Sequence, residues 1–341
     1  MIFDLNYGTI KMIKIDLNEE VKKSIEKKHK EYIVCTSKQT LEGFLLEDDL
    51  AKKNSISENN KKFLIHFFGD KMEIRQKKLI ELCTDPNLEN LISEYEKTFC
   101  KIYGFENRGK GGEEEDKIKK EIKDILDTIL DYKGFYKGKQ IEKKLWNRHE
   151  FVVSLGIRVC PYCNRQYITS YYEDSEKTTA DVDHYYPKSL YPFLQMNIYN
   201  MIPSCNVCNS KTKLDKDMRH LYPYIDSSES LCFELLLNSV ENMYSGVSDI
   251  VLKTNGNLRA ENSIRVFKLS EIYQAHRREA GEVLDHVKNY AVMNDKYYIK
   301  TMGIDFEKEI YNMWFDFMSK TPNDEPLIKL KQDIFKQLAK L

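Results

Sequence analysis

Two Cys-x-x-Cys pairs, Cys160/Cys163 and Cys205/Cys208, lie 41 residues apart and bracket Asp181, Asp183 and His184. Four thiolates in this grouping suit one tetrahedral ion, zinc above all, with each pair supplying two corners from a tight turn. The gap exceeds the roughly 15–20 residues of common zinc modules, and a folded insertion between the pairs would explain the excess. A redox role for either pair is weaker, because no thioredoxin-like βαβ pattern surrounds them. An acid, an imidazole and two amides, Asn200 and Asn209, sit inside or against this clip. That set suggests a small metal-dependent nuclease whose fold is held by a second, structural metal.

The elements that must position these groups read as a mainly α fold with a small α+β insert. A short strand is expected at Ala180 to His184, a second at Ile198 to Pro203, and a helix from about Val207 to Leu214. Upstream, Met12 to Leu17 alternates like a strand, and a charged helix is expected from Glu19 to Tyr32. Asp85 is the expected N-cap of a helix with Pro86 in its first turn. Leu88, Leu91, Ile92, Tyr95, Phe99 and Ile102 then recur on one face. Asn107 to Gly112 reads as a loop, followed by a helix from Asp116 to Tyr132. Lys133 to His149 combines six Lys and Arg with Phe135, Tyr136 and Trp146; it either approaches a phosphate backbone or is a solvated helix with its rings packed inward. Leu231 to Leu237 and Asp249 to Lys253 suit a hairpin. A long helix is expected from Ser270 as N-cap to Tyr290, and two helical stretches, 305–319 and 326–340, close the chain. The expected division is 1–132, a helical region; 133–220, the zinc-stapled core; and 221–341, a mainly helical region. Cys35, Cys83, Cys100 and Cys232 have no Cys-x-x-Cys partner and read as core thiols.

The segment from Cys160 to Lys213, about a sixth of the chain, resembles the HNH endonuclease family, the ββα-metal nucleases, in its zinc-stapled form. The resemblance rests on Asp183-His184 with Pro187 three residues on, on Asn200 five residues before Cys205, and on Asn209 directly after Cys208. It implies that His184 is the general base that deprotonates water, and that Asp183 and Asn209 supply oxygen ligands to one Mg²⁺ or Mn²⁺. It further implies that Asn200 holds the loop carrying His184 through backbone hydrogen bonds. Lys188, Lys211 and Lys213 would reach phosphate oxygens. Asp181 either supports the site from behind or meets solvent at the strand end. His220 is the nearest other histidine and a candidate for lining the site. The final metal-ligand position carries Asn where His also occurs.

The wider segments Cys160-Pro161-Tyr162-Cys163-Asn164-Arg165, His184-Tyr185-Tyr186-Pro187-Lys188-Ser189 and Cys208-Asn209-Ser210-Lys211 are similar to the HNH subunit of Septu-type and retron-associated anti-phage defence. Such nucleases pair with a separate ATPase. The chain has no Gly-x-x-x-x-Gly-Lys-Ser/Thr loop of its own, so nucleotide gating would come from that partner. DNA is the expected substrate ahead of RNA. A standalone restriction or homing-type endonuclease, a tRNA-cutting enzyme, and a binding module with a decayed site are the alternatives.

Composition sets bounds on all of these. The 341 residues are 41% apolar and 31% charged, with a net charge of −1, which argues against coating nucleic acid by bulk electrostatics. Residues 133–219 nevertheless carry 14 Lys and Arg against 9 Asp and Glu, which suits a confined substrate contact. No apolar run approaches the roughly 20 residues of a membrane span. The start lacks a basic, cleavable leader. A cytoplasmic protein with reduced thiols is expected.

Overall fold

The computed structural model describes residues 14–45, 56–106, 112–138, 146–172, 176–226, 230–237, 239, 248–293 and 306–340. Among the described residues, seven helices precede the first strand: α1 (Glu19–Leu45), α2 (Glu58–Phe68), α3 (Met72–Thr84), α4 (Leu88–Tyr103), α5 (Gly112–Leu130), α6 (Tyr132–Lys137) and α7 (Arg148–Leu155). Three antiparallel pairs follow among the described residues: β1 (Ser170–Tyr172) with β2 (Glu176–Thr178), β3 (Asp181–His184) with β4 (Met201–Ser204), and β5 (Cys232–Leu235) with β6 (Ile250–Lys253). The helices α8 (Leu258–Phe267), α9 (Leu269–Ile272), α10 (Arg277–Met293), α11 (Phe306–Trp314) and α12 (Ile328–Leu338) complete the described chain. The fold is mainly helical with small two-stranded sheets, and one apolar core runs through all three parts of the sequence, from Ile15 to Leu338. No described helix is long and apolar enough to cross a membrane.

Helix α4 shows why the local pattern works and where it stops. Leu88, Leu91, Tyr95 and Phe99 are all buried, which is the face the spacing predicts. The N-cap, however, is Asn87, whose side chain accepts from the Asn90 N–H, and not Asp85. Asp85 is committed elsewhere: its carboxylate accepts from the Asn87 N–H at 2.8 Å and its carbonyl from Asn197 Nδ2 at 3.0 Å. Tyr95 then stacks on Phe193 with centroids 4.1 Å apart, a contact worth about 0.5–1.5 kcal/mol beyond area burial.

That contact belongs to a larger fixture. The 192–198 loop is bolted to four N-terminal elements. Asn197 Nδ2 donates to Leu82 O at 2.8 Å, and the Ile198 N–H to Cys83 O at 3.0 Å. Gln195 Nε2 donates to Asp127 Oδ1 at 3.0 Å, and Met196 O accepts from His29 Nε2 at 2.7 Å. Because a carbonyl only accepts, His29 carries its proton on Nε2, and its Nδ1 accepts from Trp146 Nε1 at 3.0 Å. Burial keeps this imidazole neutral, with its pKa drawn down to about 4. The helical region therefore shapes the loop that faces β3.

Other expectations change in packing. Helix α1 runs on to Leu45, well past Tyr32. Residues 12–13 of the expected first strand lie outside the described residues; 14–17 form no strand, and the Ile15 N–H donates to Pro223 O at 2.9 Å. Residues 107–111 of the expected loop also lie outside the described residues, and Gly112 opens α5. In the basic segment, Phe135 and Trp146 are buried while Tyr136 is exposed beneath the Arg148 guanidinium at 3.9 Å; 139–145 lie outside the described residues. The β5–β6 pair forms as expected.

The long helix expected from Ser270 is interrupted. Lys268 adopts a left-handed conformation, φ 55°, and a 3₁₀ turn at Tyr273–His276 precedes α10. Tyr273 is drawn inward by a 2.5 Å bond to Cys163 O, and Gln274 Nε2 by a 2.7 Å bond to Ile250 O. Adjacent residues pulled to two partners break the helical repeat. Cys83 is buried, but Cys35 is exposed and so not a core thiol, since α1 turns that face to solvent.

Candidate functional site

The first cysteine pair sits on a tight antiparallel turn. The Cys160 N–H donates to Gln166 O at 2.9 Å, the Ile168 N–H to Arg158 O at 2.8 Å, and the Asn164 N–H to Cys160 O at 2.9 Å. Asn164 follows with φ 48°, a left-handed position that asparagine tolerates. It is fully buried, and its side chain donates to Pro322 O at 2.6 Å while accepting from the Lys329 N–H at 3.0 Å. Asn323 adds a clamp, accepting from the Arg158 N–H at 2.8 Å and donating to Gly156 O at 3.0 Å. Residues near the C-terminus thus brace the first pair.

The second pair opens a helical turn, where the Cys208 N–H points at Cys205 Sγ at 3.4 Å. All four thiols are buried and lie within 4.8 Å of one another, with Cys163 and Cys205 sulfurs 3.9 Å apart. Metal–sulfur bonds of about 2.3 Å place tetrahedral sulfurs about 3.8 Å apart. The set could therefore hold a single metal ion such as zinc. Hydrogen bonds from Cys160, Cys163 and Cys208 hold the Cys205 thiol well below the ordinary range, the state that binds a cation; burial pushes Cys160 up.

Strand β3 ends in Asp183-His184, and its register with β4 pairs Asp183 with Ile202 and His184 with Met201. The Tyr185 N–H extends the ladder to Asn200 O at 2.9 Å. Asn200, wholly buried, accepts from the Tyr186 N–H at 2.7 Å and donates to Tyr186 O at 3.1 Å and Leu194 O at 3.2 Å. All three bonds go to backbone, so this amide fastens the turn after His184 to the 192–198 loop. His184 Nε2 donates to Gln195 O at 2.9 Å, which leaves the Nδ1 lone pair available. Burial, with Lys188 and Lys213 nearby, draws its pKa down to about 3. The ring meets Tyr132 edge-on at 4.7 Å, and the exposed Lys188 ammonium lies 5.0 Å from the same tyrosine.

Asp183 and Asn209 are held by different partners. Its Oδ1 accepts from Lys213 Nζ at 2.9 Å and its Oδ2 from Tyr162 OH at 2.7 Å. Burial pushes the Asp183 carboxyl up, and Lys213 opposes that shift. Asn209 Nδ2 instead reaches Asp181 Oδ2 at 3.3 Å, which also accepts from Asn206 Nδ2 at 3.0 Å and Ser210 Oγ at 3.3 Å. Lys211 is exposed, whereas Lys213, expected to reach phosphate, is wholly buried by its bonds to Asp183 and to His184 O at 2.6 Å. His220 is also wholly buried; its Nε2 has no partner among the described residues, and its ring meets Tyr162 edge-on at 5.1 Å. It stands behind the residue that binds Asp183.

A hard divalent ion needs free oxygen lone pairs and room for water. Asp183, as arranged, does not fit one, because the Lys213 ammonium already sits on its Oδ1 and the Tyr162 hydroxyl donates to its Oδ2; Asn209 is tied to Asp181 through its Nδ2.

Sequence reasoning missed Tyr162, Tyr132 and Gln195. Tyr162 had one signal, its place between two ligand cysteines. Gln195 acts through its backbone carbonyl, and a carbonyl leaves no trace in residue type.

No protein-family model matches the chain, and no solved structure matches it. Over 146 residues it is 27% identical to Protein ea31 of Escherichia phage lambda, a match covering 40% of this chain and 46% of that protein. The chain therefore spans less than half the length of that curated relative.

Proposed function

We propose that the chain is an HNH-type endonuclease that hydrolyses nucleic-acid phosphodiester bonds, DNA ahead of RNA, with zinc on the four cysteines as a structural ion. One observation carries the reading: His184, at the end of a β-hairpin strand, is fixed by Gln195 O through Nε2, so that Nδ1 is an unprotonated acceptor beside an exposed lysine. In that role Nδ1 takes a proton from water as it attacks phosphorus and the P–O bond to the leaving ester oxygen breaks; that oxygen takes a proton from solvent, and the Gln195 carbonyl stabilises the imidazolium that forms. Asn200 keeps the turn from shifting as the charge changes. Lys188 and Lys211 supply positive charge to phosphate oxygens. Zinc supplies rigidity, tying the β3–β4 hairpin to the first cysteine turn. The resemblance to Septu-type subunits extends the proposal to an anti-phage effector restrained by a partner ATPase.

The decisive experiment is nicking of supercoiled plasmid, with tRNA as a parallel substrate, with and without Mg²⁺ or Mn²⁺. His184→Ala should lower the rate by about 10²–10⁴-fold with the melting profile little changed; an undiminished rate removes His184 as the base. Co-purification of an ATPase encoded by an adjacent gene tests the defence role.

A further inference from the structure

The environment of Asp183 disagrees with the metal-ligand role that the HNH resemblance gives it. Lys213 is 0% exposed, and a lysine is buried so completely only when its ammonium is paired and hydrogen-bonded. Here the ammonium has two acceptors on one dipeptide, the Asp183 carboxylate at 2.9 Å and the His184 carbonyl at 2.6 Å. The second carboxylate oxygen accepts from Tyr162 OH at 2.7 Å. The helical turn that delivers Lys213 is built for this reach. Val207–Lys213 is wound as a π-helix, with the Leu214 N–H donating five residues back to Asn209 O at 3.0 Å. π-Turns are rare and recur at functional sites. Leu214 then takes φ 53°, a costly conformation for a leucine.

We propose that Lys213 is the resident cation of Asp183: its ammonium fills the place at the carboxylate that a divalent ion would take, and it positions the Asp183–His184 unit by holding side chain and main chain together. Lys213 is thus a positioning residue, acting through its neighbours. The proposal rests on the HNH reading only for the importance of His184; the charge arrangement stands without it. A divalent ion reaches Asp183 only after Lys213 has left.

Mn²⁺ binding to the full, zinc-loaded chain tests this, read from the electron paramagnetic resonance of free Mn²⁺. Wild type and Asp183→Asn should bind Mn²⁺ equally, because Asp183 contributes no ligand. Lys213→Met bares the carboxylate and should bind Mn²⁺ at least tenfold more tightly, with Mn²⁺ raising its melting temperature. The double variant Asp183→Asn/Lys213→Met should return to the wild-type affinity. A tenfold weakening in Asp183→Asn alone, or no gain in Lys213→Met, overturns the proposal. Should Lys213→Met fail to fold, the comparison of wild type with Asp183→Asn decides by itself. The readout needs no turnover, so an inactive nuclease would sink the HNH reading while leaving this result intact.

Discussion

The four-thiol cluster and the Asp183 pocket are both buried polar sites, yet they answer the problem of buried charge in opposite ways. At the cysteines, sulfurs face sulfurs, and their partners are one another and the Cys208 N–H. At Asp183, a lysine ammonium and a tyrosine hydroxyl satisfy the carboxylate from within the chain. The first arrangement could take its counter-charge from an external metal ion; the second has its counter-charge within the chain. Similar ligand lists in a sequence can thus describe one site able to take a metal and another whose acid already holds a cation from the chain.

The comparison breaks first at the cysteines. Cys205→Ser should abolish stoichiometric zinc and destabilise the central segment by at least several kcal/mol, since binding energy at a structural zinc site is folding energy. Elemental analysis paired with thermal melting checks this, and a wild-type chain purified without tightly bound metal would end the argument. At the other site, Lys213→Met should cost about 3–5 kcal/mol by stranding a buried carboxylate. Asp183→Asn/Lys213→Met should cost less than the sum of its single changes, and urea denaturation of the full cycle would reveal additivity if the pair were not coupled.

A pH profile sharpens the contrast by measuring how firmly the N-terminal helices hold the loop behind His184. Burial draws the His29 pKa down to about 4 from the ordinary 6.5 of a free imidazole. Its folded pKa is depressed, so between those values the unfolded chain binds the proton and the folded chain does not. Stability from His29 is full above about pH 6.5 and falls as pH drops toward 4, by up to about 1.4 kcal/mol per pH unit. His29→Gln should flatten that part of the curve of urea midpoints. Parallel curves for the two proteins would contradict it. The smallest effect belongs to the outer brace of the first cysteine turn. Asn323→Ala, which frees the Arg158 N–H and Gly156 O, should cost about 1 kcal/mol with zinc retained; loss of the metal would mean that the cluster depends on its clamp.

Much of the local architecture was readable in advance. The β3–β4 pair, the helical turn after Cys205 and the buried face of α4 follow from period and spacing. Where the chain departed from expectation, a distant partner was responsible. Asn87 caps α4 in place of Asp85, whose carbonyl is held by Asn197, and the helix expected from Ser270 broke where Tyr273 and Gln274 were drawn to Cys163 and Ile250. Local propensity is worth tenths of a kcal/mol per residue, and a buried hydrogen bond outweighs it.

Residue type and short spacing by themselves determined that two Cys-x-x-Cys turns could share an ion, because each turn presents its sulfurs locally. They also determined that an acid and an imidazole end one strand, since that is order along the chain. Only the tertiary structure decided which groups meet them. Lys213, Tyr162 and the Gln195 carbonyl come from three separate elements. A lysine's charge is written in the sequence, but its burial depends on what the rest of the chain packs around it.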